Sequence, residues 1–190
     1  MRILSLLVAL LITACAAPAH AFKEGPYPNV TGGFGEQSCH LCHLDNPVNS
    51  PGGSVDVAGI PPTYAVGQTY SLTITLTRAD MRRGGFEIAA RYASGRQRGK
   101  QAGTWTVLDA RAQLIPGAVD KALTFVQHNL AGSRAATRGI NAWTIDWTAP
   151  DATAPVQFNI AANASNNDDS PLGDYIYLKA VRSNPAKPVK

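Results

Sequence analysis

Cys39, His40, Leu41, Cys42 and His43 follow one another in the pattern C-x-x-C-H. Two thiols at that separation can reach the two vinyl groups on one edge of a porphyrin, and the histidine that follows is carried beneath the ring with its imidazole aimed at the iron. The pattern therefore reads as an attachment sequence for c-type haem. On this reading Cys39 and Cys42 form thioethers to one covalent haem c, and His43 is the proximal axial ligand of the iron. Covalent attachment relaxes the need for a deep pocket. The stretch from Phe22 to Gly53, dense in Gly, Pro, Asn and Ser, accordingly predicts an irregular haem-bearing arm with a helical turn near the motif.

Rival chemistries fit the same residues less well. A thioredoxin-like pair would open a helix in a βαβ unit, whereas this one follows the loop composition of Thr31, Gly32, Gly33, Phe34 and Gly35. A structural zinc site would need a second ligand pair at short spacing, and the chain has none. A plain disulfide is the remaining alternative.

Iron held by His43 has one axial position left, and its occupant sets the chemistry. Outside the leader the histidines are His40, His43 and His128, and the one methionine besides Met1 is Met81. His40 sits in the attachment loop on the same side of the ring as His43. The distal candidates are therefore His128, Met81 in the basic turn from Arg78 to Gly84, a lysine, or an open site. His128 leads because Leu123 and Phe125 should face the core, which places His128 on the other face with Thr124 and Val126, at a strand end. Asn163, Asn166, Asn167, Asp168, Asp169 and Asp174 gather oxygens as calcium sites do, but their spacing is not that of an EF-hand and an Asn/Asp-rich turn explains them better.

Residues 1–21 read as a secretory signal: Arg2, an apolar run from Ile3 to Ala14, then Ala19-His20-Ala21 as an A-x-A cleavage site. The run is too short for a membrane span. Ile12-Thr13-Ala14-Cys15 also resembles a lipobox, so the alternative to a free periplasmic or secreted protein is a lipoprotein anchored through Cys15. Once the leader is removed, Cys39 and Cys42 are the only cysteines left, and no disulfide can staple the fold although the compartment would permit one. Without Arg2 the 17 basic residues become 16 against 13 acidic, too small an excess to point to nucleic acid.

A chain of 190 residues supports one domain with appendages. Short alternating runs predict about eight strands and an all-β sandwich over residues 54–182. They are Ser54 to Ala58, Tyr70 to Thr77, Phe86 to Tyr92, Trp105 to Val107, Ala122 to His128, Trp143 to Thr148, Val156 to Ala162 and Ile176 to Ala180. Trp143 and Trp147 share a strand face and are core residues first, electron relays second. Arg91 to Gly103, with Arg96, Arg98 and Lys100, reads as a solvated hairpin loop, its rival being a dock for an acidic redox partner. Residues 183–190 form a polar, proline-broken tail expected to fray.

In order along the chain stand Thr31-Gly32-Gly33-Phe34-Gly35-Glu36, the C-x-x-C-H motif, Gly67 with Tyr70, Gly85-Phe86, and Trp143 through Trp147-Thr148-Ala149-Pro150. Val156 and Phe158, then Asn163, then Gly173-Asp174 follow. This series resembles the bacterial choice-of-anchor V domain, itself similar to the Reeler (reelin N-terminal) β-sandwich with a haem motif placed before it. The resemblance runs from about Thr31 to Arg182. It implies a Reeler or immunoglobulin-like fold and a haem, and no particular reaction. Such domains often carry a C-terminal anchor; no hydrophobic segment follows Arg182 here, which leaves a free protein or an anchor at Cys15. No nucleophile, base and orienting group form a triad, and no Gly-rich phosphate loop follows a strand. The expected function is one-electron transfer or redox sensing in the cell envelope, with a redox protein as partner. The alternative is an envelope binding or adhesion module in which haem is structural or senses a ligand.

Overall fold

Among the described residues the chain forms ten strands in two antiparallel-dominated sheets, most of them on alternating apolar and polar residues. The structure, a computed structural model, describes residues 22–135 and 137–187; the leader and Cys15 lie outside the described residues. The strands are β1 (Gly53–Ala58), β2 (Thr63–Tyr64), β3 (Thr69–Arg78), β4 (Arg83–Tyr92), β5 (Thr104–Thr106), β6 (Ala112–Pro116), β7 (Thr124–His128), β8 (Ile140–Thr148), β9 (Val156–Ser165) and β10 (Tyr175–Pro185). One sheet has the order β1-β3-β8-β5, the other β2-β10-β9-β4-β7-β6. Among the described residues no helix is long and apolar enough to cross a membrane.

The inner faces meet as period-2 patterning requires. Leu72, Ile74 and Leu76 of β3 and Trp143, Ile145 and Trp147 of β8 pack against Phe86, Ile88 and Ala90 of β4 and Phe158, Ile160 and Ala162 of β9. Trp143 lies 4.6 Å from Phe86 and Trp147 4.8 Å from Phe158, ring centre to ring centre. Both indoles are fully used by the core: their N–H groups donate to Gly132 O at 3.0 Å and Ala102 O at 2.9 Å.

The outer face of the six-stranded sheet is covered by the N-terminal arm, which is why β4 is buried on both faces from Gly84 to Tyr92. The Val30 N–H donates to Glu87 at 2.8 Å. Gly33 rests on Asn159, whose Oδ1 is 2.3 Å from where a Cβ would stand. Asn49 then ties the arm to β10, donating to Ile176 O and accepting from Leu178 N, both at 2.8 Å.

Several expectations are corrected here. β2 is only two residues long and β6 mixes Gln, Leu, Ile and Pro at an edge, so neither shows a clear alternation. The C-terminal strand continues through Ser183, fully buried opposite Val156, to Pro185. In β7 the faces are reversed from the expected sense: Val126 enters the core between the sheets, while Phe125 and Leu123 form a smaller cluster with Ala89 on the arm side. Arg91 belongs to β4 and is 5% exposed, whereas Arg96, Arg98 and Lys100 of the following loop are exposed.

Candidate functional site

The C-x-x-C segment is a single 3-10 turn, Cys39–Leu41, started by Ser38, whose Oγ accepts from His40 N at 3.2 Å. Residues three apart eclipse one another on such a turn, so Cys42 is carried to the same side as Cys39. Its N–H and that of His43 both donate to Cys39 O, at 3.3 and 3.2 Å. Both thiols are free; Cys42 is exposed and Cys39 half-buried, with its sulfur turned toward the sheet. Burial, and secondarily the nearby Glu87 carboxyl, pushes the Cys39 thiol up to about 12. It is therefore a neutral thiol rather than the thiolate of a redox-active pair.

His43 is held from the other side by the loop between β9 and β10. Its Nδ1 lies 2.9 Å from Asp174 Oδ2 and 3.3 Å from Pro171 O. Asn163 Nδ2 stands 3.2 Å from Nε2 and also donates to Asp174 Oδ2 at 3.0 Å. Two residues beyond His43, Asp45 Oδ2 accepts from Gly173 N at 2.7 Å. These contacts tie the segment carrying Leu44 to the loop carrying Leu172, and Leu41, Leu44 and Leu172 are all exposed.

These features fit the haem that the motif implies. Two thiols stand on one turn, Cys42 exposed and Cys39 needing to turn out from the sheet to meet a vinyl group, an imidazole has its Nδ1 set against two acceptors as metal-ligating histidines do, and Leu41, Leu44 and Leu172 are exposed. Asn163 Nδ2 lies 3.2 Å from Nε2 and 3.4 Å from Nδ1, so that amide must give way to a metal at Nε2.

Among the distal candidates, the structure separates His128 from Met81. Met81 is 1% exposed and packed in the core between the sheets, so reaching the arm face would require it to leave that core. His128 lies over Gly85, its Cε1 being 2.4 Å from where a Cβ on that glycine would stand. By alternation His128 falls with Val126 on the core side of β7, against the expectation that this side faces away from the core, but its ring lies over Gly85, the register partner of Asn163, and so reaches the face that carries His43. Its Nδ1 is 3.0 Å from Phe86 N and 3.3 Å from Phe86 O. Burial drives its pKa down to about 4, which keeps the ring neutral. With Nδ1 accepting from the Phe86 N–H, Nε2 carries the proton; the other tautomer, donating to Phe86 O, leaves the Nε2 lone pair free.

Two buried charged residues under the arm escape a reading by periodicity. Arg91 pairs with Glu36 of the arm, the two side chains 6% and 9% exposed, and Glu36 also accepts from Thr31 Oγ1 at 2.6 Å and Asn29 Nδ2 at 2.8 Å. Glu87 is fully buried. Burial, opposed by the Val30 N–H, pushes its carboxyl up to about 8, so it is largely protonated at neutral pH. Glu87 Oε2 and Gln127 Oε1 both lack partners although the two residues face each other across β4 and β7. A proton on Glu87 makes Oε2 a donor for which Gln127 Oε1 is an available acceptor. In the loop from Asn163 to Asp174, Asp168 Oδ1 accepts from Ser170 N at 2.9 Å and Asn166 Oδ1 from Asp168 N at 3.0 Å, so those oxygens serve the turn itself.

No family model matches the chain, and no curated protein matches it. Solved structures do. The chain is similar to the Reelin-N domain of F-spondin, with 16% identity, 78% of this chain and 97% of that one covered, and a TM-score of 0.49. A human F-spondin reeler domain fragment follows at 18% identity, 78% and 99% covered, and a TM-score of 0.45. A cohesin module from the Clostridium perfringens family 33 glycoside hydrolase shows 12% identity, 72% and 100% covered, and a TM-score of 0.46. At these values the likeness bears on neither ligand nor partner.

Proposed function

We propose that the chain is an exported monohaem c-type protein that transfers or senses single electrons in the cell envelope, built on a Reeler-like β-sandwich of the choice-of-anchor V kind. The observation that carries the reading is the engagement of His43 Nδ1 by Asp174 and Pro171 at the end of a 3-10 turn bearing both thiols. Cys39 and Cys42 hold the macrocycle, and His43 supplies the proximal nitrogen. Bound there, haem supplies a one-electron Fe(III)/Fe(II) couple. The arm that carries the motif is fixed to the sheet by Glu36 and Arg91, which limits motion of the site relative to the sandwich. His128 is the distal candidate that this reading favours, being neutral and on the same face as His43.

The test is spectroscopic. A six-coordinate low-spin spectrum, indifference to carbon monoxide and rapid electron exchange with a small soluble cytochrome are expected, with His128→Ala converting the spectrum to high spin. Ready binding of carbon monoxide by the wild-type ferrous protein would contradict electron transfer and favour a ligand sensor.

A second reading, an envelope binding module, is favoured by the uncovered outer face of the four-stranded sheet. Thr69, Ser71, Thr73, Thr75 and Thr77 alternate along β3, with Thr69 and Thr73 opposite Thr148 and Thr144. A module of that kind keeps its partner when Cys39 and Cys42 are both replaced by serine; an electron carrier loses its function.

A further inference from the structure

We propose that Asp174 is the positioning residue that fixes the tautomer of His43 and lowers the reduction potential of the iron. The inference rests on the haem reading above and names the group that tunes it. Asp174 Oδ2 is the acceptor nearest to His43 Nδ1, at 2.9 Å against 3.3 Å for the Pro171 carbonyl. An ionised carboxylate can only accept, so Nδ1 carries the hydrogen and Nε2 keeps its lone pair. Asn163 does not choose between the tautomers, because its amide nitrogen lies 3.2 Å from Nε2 and 3.4 Å from Nδ1; the assignment rests on the two acceptors at Nδ1.

The charge on Asp174 is also placed to act on the ring. The residue is 1% exposed. Its remaining contacts are neutral N–H donors, Asn163 Nδ2 at 3.0 Å to Oδ2 and Asn166 N at 3.1 Å to Oδ1. Among the described residues no lysine or arginine forms a salt bridge with it. A buried negative charge without a fixed cation acts strongly on its nearest polarisable neighbour. Here that neighbour is the His43 imidazole, whose donation to the iron increases, and Fe(III) gains over Fe(II).

A merely structural Asp174 would brace the Asn166 loop and leave the potential unchanged, so equilibrium redox titration of the haem-loaded protein separates the two roles. Asp174→Asn keeps the shape and removes the charge. It is expected to shift the Fe(III)/Fe(II) ratio at fixed poise at least tenfold toward Fe(II), about 59 mV for one electron, while Asp174→Glu stays within about threefold of the wild type. A haem-bearing Asp174→Asn protein with the wild-type potential overturns the inference and leaves the haem reading standing; a chain that takes up no covalent haem overturns both. Should the asparagine variant fail to fold, nitrogen NMR of histidine-labelled wild-type protein without haem decides: the hydrogen on Nδ1 of His43 is expected, and a hydrogen on Nε2 overturns the inference.

Discussion

Three buried titratable side chains on the arm side of β4 and β7 control how the fold responds to pH. His128 is neutral in the fold, with its pKa depressed from 6.5 to about 4. The unfolded chain therefore binds the extra proton first, and stability falls as pH drops from about 6.5 to 4, by about 3 kcal/mol. Glu87 acts in the opposite sense. Its pKa is raised from 4.5 to about 8, so the unfolded chain releases its proton first and stability falls as pH rises from about 4.5 to 8. The two slopes oppose each other below 6.5, which leaves pH 6.5 to 8 to Glu87 alone. Urea unfolding across that window should show the wild type losing roughly 2 kcal/mol and Glu87→Gln losing almost nothing; equal slopes would refute the assignment. Cys39 extends the fall above pH 9 in the chain with free thiols, and thioether formation should abolish that limb, as unfolding of the haem-bearing and haem-free proteins at pH 10 would reveal. None of this was legible in the sequence. Glu87 alternates with Phe86 and Ile88 as any solvent-facing residue would, and its burial comes from an arm more than fifty residues upstream. Asp174 stood in the sequence as one oxygen among several in an Asn/Asp-rich loop, and its contact with His43 spans far more chain than any local pattern covers.

Strands were legible wherever one face is apolar and the other hydroxylic, as in β3 and β8, since the period of two is a direct consequence of the pleat. They were not legible where both faces are buried or where an edge strand carries mixed residues, which is why the sense of β7 was reversed and β2 and β6 were missed. The arm was correctly readable as irregular, yet its attachment to β4 rests on two features that periodicity cannot express. The first is the seat of His128 over Gly85. A methyl group there would stand 2.4 Å from the ring, so Gly85→Ala should displace His128, cost about 1–3 kcal/mol as overpacking does, and move the His128 proton resonances, followed by NMR titration, from about 4 toward 6.5. An unchanged titration would show that the seat is not needed. The second is the Glu36–Arg91 pair. Glu36→Ala strands a buried guanidinium and should cost about 3–5 kcal/mol, with faster hydrogen exchange at the Val30 amide; loss of stability without faster exchange there would mean that the pair does not hold the arm.

At the scale of the whole molecule, the sandwich and the motif divide the work. The motif lies on a short turn with Cys42 exposed, the loop between β9 and β10 supplies a buried carboxylate for His43, and the sheet supplies a covered polar face. A histidine whose Nδ1 is set against a buried carboxylate is the arrangement that a metal ligand needs, and it is what favours the haem reading. Covalent haem attachment is therefore the claim on which the functional account stands. The direct measurement is the intact mass, under denaturing conditions, of the chain exported from cells that contain haem c maturation machinery. One haem per chain is predicted, lost when Cys39 and Cys42 are replaced by serine; a mass corresponding to free thiols or to a disulfide would contradict the account.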